Sequence, residues 1–187
     1  MICGVDEAGK GPVMGPLVVA AVAVGNAKEI ENLGIRDSKL LTKTKRKELA
    51  EIIKEKFTFE VEIIEPRKVD EYRKKNKLND LNREAFTKLI SKLNPNVAYV
   101  DAADVNEERF GREIKSNLTN DNDTDVISMH KADSKIPVVA AASIIAKQTR
   151  ENEIKKLKEK IGDFGSGYPS DERTIKFLKS YFHDNSK

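Results

Sequence analysis

Cysteine, histidine and tryptophan are scarce in this sequence of 187 residues, which has one cysteine, two histidines and no tryptophan. The lone Cys3 excludes an internal disulfide and favours a reducing compartment, so we expect a cytoplasmic protein in which Cys3 is a small apolar strand residue. Because cysteine and histidine clusters are absent, the sequence offers no structural zinc site.

Long apolar runs and a strong charge imbalance are also missing. The longest apolar run, residues 16–24, is far too short to span a bilayer, and the first residues lack the pattern of a signal peptide. The 34 basic and 31 acidic residues leave a formal net charge of +3. This balance neither requires nor excludes nucleic acid, because a local basic face matters more than the total charge. The length suits one domain, 1–187, with a sizeable core.

Hydrophobic periodicity predicts an α/β protein with a mixed sheet. Five segments have the short apolar or alternating pattern of strands: 2–6, 17–24, 57–64, 97–100 and 125–129. Six longer segments have helical patterns: 42–56, 68–75, 78–93, 107–118, 137–161 and 171–182. Turn residues between the first two strands favour a hairpin. Early strands followed by alternating helices and strands predict helices packed on one sheet.

Acidic residues stand at the ends of predicted strands. Asp6 and Glu7 end the first strand, Asp101 ends the strand at 97–100, and Asp133 precedes the long apolar helix. A buried acid is costly unless it is paired or binds a cation, and oxygen ligands suit Mg²⁺ or Mn²⁺. Taken singly, each acid is also compatible with a salt bridge or a helix cap, and the cap interpretation is strongest for Asp133. Since adjacent strand residues point to opposite faces, Asp6 and Glu7 can share one metal only if the strand bends.

A phosphate-binding loop is the competing interpretation of the amino terminus. Gly4, Gly9 and Lys10 fit most of the pattern G-x-x-x-x-G-K. Position 11, however, is glycine rather than the serine or threonine that would hold Mg²⁺. The prolines and glycine that follow disfavour the helix such a loop requires, and the two acids would repel phosphates. The residues therefore argue against a nucleotide loop.

Five motifs, in the right order, resemble those of ribonuclease HII in its archaeal form. They are G-V-D-E-A-G-K-G-P-V-M-G-P-L (4–17), D-S-K-L-L (37–41), Y-V-D-A (99–102), H-K-A-D-S-K-I-P-V-V-A-A-A-S-I-I-A-K (130–147) and D-F-G-S-G-Y-P-S-D (163–171). The resemblance implies the ribonuclease H-like fold, a mixed five-stranded sheet flanked by helices. It also implies two-metal-ion hydrolysis of RNA strands paired to DNA, and of single ribonucleotides embedded in duplex DNA, giving 5′-phosphate and 3′-hydroxyl ends.

The same resemblance assigns roles to individual residues. The catalytic, metal-binding carboxylates fall on Asp6, Glu7, Asp101 and Asp133, with Mg²⁺ or Mn²⁺ as the cofactor. The backbone of Gly9, Lys10 and Gly11 would read the ribose 2′-hydroxyl, where glycine permits a close approach. Tyr168 would pack on the nucleotide that follows the ribonucleotide.

Hydroxyl and basic residues extend this expected substrate site. Ser38 and Lys39 match a family segment near the substrate backbone. Ser143 and Lys147 are four residues apart on the long predicted helix, so they share a face that could meet phosphates.

Three further basic residues and one histidine have open assignments. Lys43, Lys45 and Arg46 could extend the basic face or form an ordinary solvated helix face. A metal-bound water needs no histidine base, so we interpret His130 as a supporting or structural residue.

The last predicted helix carries a second question. Longer archaeal members of the family continue beyond this helix, whereas this sequence stops at Lys187. A C-terminal segment that closes over the bound duplex is therefore in doubt. Ile175, Leu178, Tyr181 and Phe182 echo the sliding-clamp motif Q-x-x-L-x-x-F-F but lack its glutamine. An amphipathic helix that packs on the core is the favoured interpretation, with clamp contact as the alternative.

Other functions stay open from the residues alone. A nuclease for another structure, such as a DNA junction, is disfavoured by the glycine-lysine segment and Tyr168. A hybrid-binding module without catalysis is disfavoured by the four intact acids. The leading expectation is a monomeric endoribonuclease whose partners are RNA/DNA hybrids and ribonucleotide-containing DNA, with no membrane.

Overall fold

Five strands form one mixed sheet in a computed structural model that describes residues 1–35, 41–119 and 123–185. The strands are β1 (Ile2–Ala8), β2 (Leu17–Val24), β3 (Thr58–Ile64), β4 (Val97–Asp101) and β5 (Asp125–Met129). Their order is β3-β2-β1-β4-β5. The first three strands are antiparallel neighbours, whereas β4 runs parallel to both β1 and β5. The predicted hairpin and the predicted mixed five-stranded sheet are confirmed.

Eight helices are described around the sheet. They are α1 (Ala27–Glu31), α2 (Lys43–Lys56), α3 (Pro66–Lys74), α4 (Leu78–Leu93), α5 (Glu107–Ser116), α6 (Ala132–Lys135), α7 (Pro137–Ile161) and α8 (Glu172–Asn185). All six predicted helices are present, with bounds that differ by a few residues at most. Helices α1 and α6 were not predicted, because helices of five and four residues are too short to show a periodic pattern. Among the described helices, none has the apolar length that a bilayer crossing requires.

The two faces of the sheet bury different kinds of side chain. One face packs against α4 and α5, where Phe86 and Phe110 meet edge to face with ring centroids 5.5 Å apart. The other face packs against α7, whose buried first half is mostly alanine, valine and isoleucine. All eight residues of β2 are buried, as expected for a continuously apolar strand inside a sheet covered on both faces.

Helix α7 lies directly on β1 at Gly4. A Cβ atom at Gly4 would lie 2.4 Å from the carbonyl carbon and oxygen of Val138, so any other residue would push the helix away. This close approach brings the buried face of α7 over the end of β1, where the first two acids lie.

Candidate active site

The carboxyl ends of three parallel strands bring three acids together. Asp6 lies near the end of β1, Asp101 is the last residue of β4, and Asp133 lies in α6, four residues after β5. Each offers one carboxylate oxygen, and these three atoms all lie within 4.8 Å of one another. Parallel register therefore gathers carboxylates that are far apart in sequence at one edge of the sheet.

Asp6 and Asp101 are oriented by hydrogen bonds, and Asp133 has a lysine nearby. The Glu7 amide donates to Asp6 Oδ1 at 2.7 Å, and the Ser143 hydroxyl donates a further hydrogen bond to Asp6. The Ala132 amide donates to Asp101 Oδ1 at 3.0 Å. On the other side of the cluster, Lys147 Nζ lies 4.0 Å from Asp133 Oδ2. Backbone amides and the buried face of α7 thus hold the cluster in place.

Burial and the charges of neighbouring acids raise the pKa of Asp6 and of Glu7. Burial raises the pKa of Asp6 well above its usual range, and the charges of Glu7 and Asp101 raise it further, against the hydrogen bond from Ser143. Burial also raises the pKa of Glu7 to about 7, although Lys10 opposes the shift. A buried, oxygen-only donor set whose members repel one another fits a hard divalent cation, because the cation's charge offsets both costs.

Glu7 lies beside the three-acid cluster rather than within it. Strand β1 keeps its pairing with β2 through Ala8, with Glu7 opposite Val19. Glu7 instead lines the adjoining cleft, close enough for Asp101 and Asp133 to raise its pKa.

The helix-cap interpretation of Asp133 is wrong. Asp133 lies inside the short helix α6, and Ile136 is the N-cap residue of α7, without a side-chain cap hydrogen bond. Because Asp133 is only 3% exposed, its carboxylate belongs to the buried cluster and not to a solvated helix end.

A cleft of about 690 Å³ begins at Glu7 and runs past Gly9, Lys10 and Gly11 to Tyr168. Its lining includes six basic side chains from α2 and α7: Lys43, Arg46, Lys147, Arg150, Lys155 and Lys158. A concentration of cations in one groove is the feature that binds a phosphate backbone, even where the net charge of the chain is small.

Gly9 is required by its own backbone and by its neighbours. Its φ is +106°, and a Cβ atom there would lie 2.5 Å from the Pro16 carbonyl oxygen and 2.6 Å from Arg150 Nε. The Arg150 guanidinium donates to the carbonyl oxygens of Met14 and Pro16 at 2.9 and 3.2 Å. The turn after β1 is therefore closed against a half-buried arginine of α7.

The two residues after Gly9 differ in how firmly they are held. Lys10 Nζ donates to Asn79 Oδ1 at 3.0 Å and to the Ala103 carbonyl oxygen at 2.7 Å. A Cβ atom at Gly11 would meet only Tyr168, at 3.6 Å, which is an ordinary contact. Gly11 thus keeps an open surface next to the tyrosine ring.

Tyr168 is carried by a loop that is hydrogen-bonded to the glycine segment's own loop. The amides of Val13 and Met14 donate to the Gly167 carbonyl oxygen at 2.8 and 3.3 Å. The hydroxyl of Thr174, a buried residue of α8, accepts from the Gly167 amide at 3.0 Å. The Tyr168 side chain remains 45% exposed beside Gly11, so its ring is open to a ligand in the cleft.

Ser143 and Lys147 do share one face of α7, but that face meets the acids. Ser143 is fully buried and donates to Asp6, so the expected phosphate contact is not supported for this residue. Lys147 is partly exposed, lines the cleft and lies near Asp133, which is compatible with a phosphate contact. Ser38 and Lys39 lie outside the described residues.

The residues with open assignments fall in different surroundings. Arg46 lines the cleft and pairs with Glu151 at 2.9 Å, whereas Lys45 pairs with Glu48 on an exposed helix face. His130 is half-exposed. Its backbone amide donates to Glu107 Oε2 at 2.6 Å, and its ring Nε2 lies 3.3 Å from the Val105 carbonyl oxygen. These contacts fit a structural histidine.

The sequence did not reveal three residues around the glycine segment: Arg73 and Asn79, which bond to Lys10, and Arg150, which closes the turn at Met14 and Pro16. Arg150 follows Ser143 and Lys147 at helical spacing, so the shared-face argument could have found it. Arg73 and Asn79 carry no such signal, because they meet Lys10 across more than 60 residues of chain.

Buried carboxylates at one edge of a mixed five-stranded sheet, beside a basic cleft, define a metal-dependent nuclease of the ribonuclease H-like fold. The sequence model described as Ribonuclease HII matches residues 3–187. Ribonuclease HII of Methanoregula boonei is 45% identical over 185 residues, covering 99% of this chain and 86% of the relative.

The chain is also similar to two solved structures of ribonucleases H. The chain is similar to ribonuclease HII of Archaeoglobus fulgidus in its complex with PCNA, with a TM-score of 0.92, 46% identity and coverage of 100% of this chain and 91% of that one. For ribonuclease H2 from Pyrococcus horikoshii the TM-score is 0.91, with 41% identity and coverage of 100% and 89%. The chain therefore belongs to the ribonuclease HII family, which implies metal-dependent hydrolysis of the RNA strand in RNA/DNA hybrids.

Proposed function

We propose that this protein cuts the RNA strand of RNA/DNA hybrids and incises duplex DNA at single embedded ribonucleotides, leaving 5′-phosphate and 3′-hydroxyl ends. The observation that carries the proposal is the three-carboxylate cluster, which Glu7 and Lys147 connect to a basic cleft lined by the segment Gly9–Lys10–Gly11. The cluster supplies a site for hydrolysis, and the cleft supplies a path for the substrate backbone.

Asp6, Asp101 and Asp133, with Glu7 at their side, would hold Mg²⁺ or Mn²⁺, two ions during the reaction. When bound, such ions stabilise the charge that develops on a phosphoryl group and lower the pKa of a bound water. The chain's own contribution is preorganisation: Ser143 and the Glu7 amide orient Asp6, and the Ala132 amide orients Asp101. Oriented donors and acceptors need no rearrangement at the moment of reaction.

Selection of RNA would come from the cleft wall. Open backbone at Gly11 lets a ribose approach closely, and the half-exposed Tyr168 ring beside it offers a surface for the next nucleotide. The 2′-hydroxyl is the group that distinguishes RNA from DNA at a given site. Lys147, Arg46 and Lys155 on the far wall would neutralise phosphates of the bound duplex.

The direct test is incision of a DNA duplex that holds one ribonucleotide, with Mg²⁺ or Mn²⁺, followed by analysis of the product ends. We expect a single cut beside the ribonucleotide, with 5′-phosphate and 3′-hydroxyl ends, and no cut in the matched all-DNA duplex. Equal cutting of both duplexes, or preferred cutting of a DNA junction, would establish the alternative nuclease function. Metal-independent binding without turnover would establish a binding module.

A second proposal concerns the end of α8. Ile175 and Leu178 are partly buried, as the core-packing interpretation predicts, but Tyr181 is 46% and Phe182 65% exposed. Tyr181 stacks on Phe177 with ring centroids 5.9 Å apart and meets Phe182 edge-on. Exposed aromatic rings at this spacing, together with the PCNA complex of the Archaeoglobus relative, support contact between α8 and a sliding clamp.

This contact is measured by surface plasmon resonance on an immobilised archaeal sliding clamp. Phe182→Ser should abolish binding without changing incision of the ribonucleotide duplex, whereas the exposed control Lys179→Ser should bind normally. Equal binding by both variants would refute the contact.

A further inference from the structure

Lys10, at the centre of the proposed ribose-reading segment, is held from outside the cleft. Its ammonium group donates to Asn79 Oδ1 at 3.0 Å and to the Ala103 carbonyl oxygen at 2.7 Å. Both contacts are partly buried, and together they use two of the three ammonium protons. The Lys10 side chain is therefore bonded to the protein, and we do not assign it to a phosphate of the substrate.

The backbone of Lys10 is held by the same pair of helices. Arg73 Nη2 donates to the Lys10 carbonyl oxygen at 3.2 Å from the last turn of α3, and Asn79 lies in the first turn of α4. The turn between these helices passes through Asn76, whose φ is +57°. The α3–α4 corner thus contacts both the main chain and the side chain of one loop residue.

The Ala103 contact links this loop to the acids. Ala103 follows Asp101 by two residues, in the segment that leaves β4. Lys10 therefore spans the distance between Asn79 and the exit of the strand that carries a cluster acid. Any shift of Lys10 would change the distance between the Gly9–Gly11 backbone and Asp101.

We propose that Asn79 is a positioning residue for ribonucleotide recognition. It holds Lys10, and through Lys10 it keeps the backbone of Gly9 and Gly11 at contact distance from a ribose aligned with the carboxylate cluster. Arg73 plays the same part for the Lys10 carbonyl, more weakly because it is exposed. This inference rests on the proposed function of the segment, namely that it reads the 2′-hydroxyl.

Asn79→Leu removes the acceptor, whereas Asn79→Asp keeps an acceptor in the same place. For Asn79→Leu we expect about a tenfold fall in the single-turnover incision rate at a lone ribonucleotide, since small misplacements of a reacting group are costly. Affinity for an all-DNA duplex, measured by fluorescence anisotropy with Ca²⁺ in place of Mg²⁺, should stay within about twofold, because the basic wall is intact. The preference for the ribonucleotide duplex over that all-DNA duplex should be lost in the same binding assay.

Two comparisons separate positioning from a general loss of structure. Asn79→Asp should recover at least half of the wild-type rate. Asp80→Asn, which alters the same helical turn and its pair with Arg83 at 3.1 Å, should leave rate and preference unchanged. In a double-mutant cycle, Asn79→Leu should add nothing to Lys10→Met, because Lys10→Met already removes the contact with Asn79.

The outcomes distinguish this inference from the proposed function. Wild-type protein without preference for the ribonucleotide would overturn the function itself. Wild-type preference retained in Asn79→Leu, or a loss in Asn79→Asp as large as in Asn79→Leu, would overturn the positioning role alone. Equal losses of affinity for both duplexes would assign Asn79 to general substrate binding and would also overturn it.

Discussion

The acid cluster and the glycine segment lie at the same end of the sheet, but they are held in opposite ways. Asp6 and Asp101 belong to strands, so the hydrogen-bond ladders of β1 and β4 set their positions. Gly9, Lys10 and Gly11 have left the strand. Arg73 and Asn79 hydrogen-bond to Lys10, and Arg150 packs next to Gly9 while it donates to Pro16. Removing a carboxylate should therefore change the chemistry and leave the fold intact. Altering the segment should change geometry and selectivity.

The largest effect is expected for Asp101→Asn, which removes one charge of the acid cluster and keeps the shape of the side chain. We expect a fall in incision rate of about 10³-fold, because metal and charge stabilisation supply most of the rate in such a site. The midpoint temperature of thermal unfolding of the metal-free protein should be unchanged or slightly higher, since one repulsive charge is gone. Asp125→Asn, at the opposite end of β5, is the control and should cut at the wild-type rate.

Gly9→Ala should rank next, because it strains the segment itself. The positive φ and the contacts at 2.5 and 2.6 Å cannot accept a methyl group without movement of the turn. We expect about 10²-fold slower incision and a loss of roughly 2 kcal/mol in the free energy of unfolding. Gly34→Ala has a positive φ of +63° but no atom within 4 Å, so it should lose about 1 kcal/mol and keep full activity. Similar activity losses in both variants would contradict the steric explanation.

Gly11→Ala tests the glycine segment without disturbing the fold, so any loss of activity comes from the substrate surface. The added methyl group would meet Tyr168 at an ordinary 3.6 Å, so thermal unfolding should not change. It would nevertheless occupy the surface proposed for the ribose, and we expect about tenfold slower incision at a single ribonucleotide. Gly25→Ala, near Glu29, is the matched substitution away from the cleft. Wild-type kinetics in Gly11→Ala would place the ribose elsewhere.

The last expected effect is on stability rather than on activity: the acids alone should make the free energy of unfolding depend on pH. Folding raises the pKa of Glu7 to about 7 and raises that of Asp6, so the folded state binds protons more tightly than the unfolded state. Without divalent metal, the free energy of unfolding should therefore fall as pH rises from 5 to 8, by on the order of 2 kcal/mol. The thermal midpoint should fall by about 5 °C.

Divalent metal should reverse this trend, because the ionised carboxylates then bind the cation. Thermal melts at pH 5 and pH 8, with EDTA or with 10 mM Mg²⁺, make the comparison. Without metal, Asp101→Asn should weaken the dependence of stability on pH, since the charge of Asp101 contributes to the raised pKa of both Asp6 and Glu7. A metal-free protein that becomes more stable with rising pH would show that the acids are not electrostatically strained.

Local patterns predicted the elements well where packing and propensity agree. The apolar stripe of α4, the short strand β5 and the long helix α7 have the predicted bounds, 78–93, 125–129 and 137–161. The helix predicted over 42–56 begins one residue later, because Thr42 is its N-cap and accepts from the Lys45 amide at 3.2 Å. Helix α6 could not be predicted, since four residues show no period. For the same reason the sequence did not show that Asp133 lies inside a helix.

The candidate site divides in the same way. Acids at strand ends and a glycine-lysine-glycine segment are visible in the sequence, because strand ends and turns are local features. That Ser143 turns inward to Asp6 is not visible, since its helical face is defined only once Gly4 lets α7 lie on β1. The exposure of Tyr181 and Phe182 likewise depends on where α8 leaves the core.

By itself, the sequence determined the family, the order of strands and helices, and the carboxylates available for metal, because each depends on residue type and short-range pattern. Only the tertiary structure decided that Asp6, Asp101 and Asp133 form one group with Glu7 beside it, and that Lys10 is tied to Asn79 and Ala103. These relations join residues up to 127 positions apart, from Asp6 to Asp133. Strand pairing and helix packing create such distances, and no local pattern in the chain encodes them.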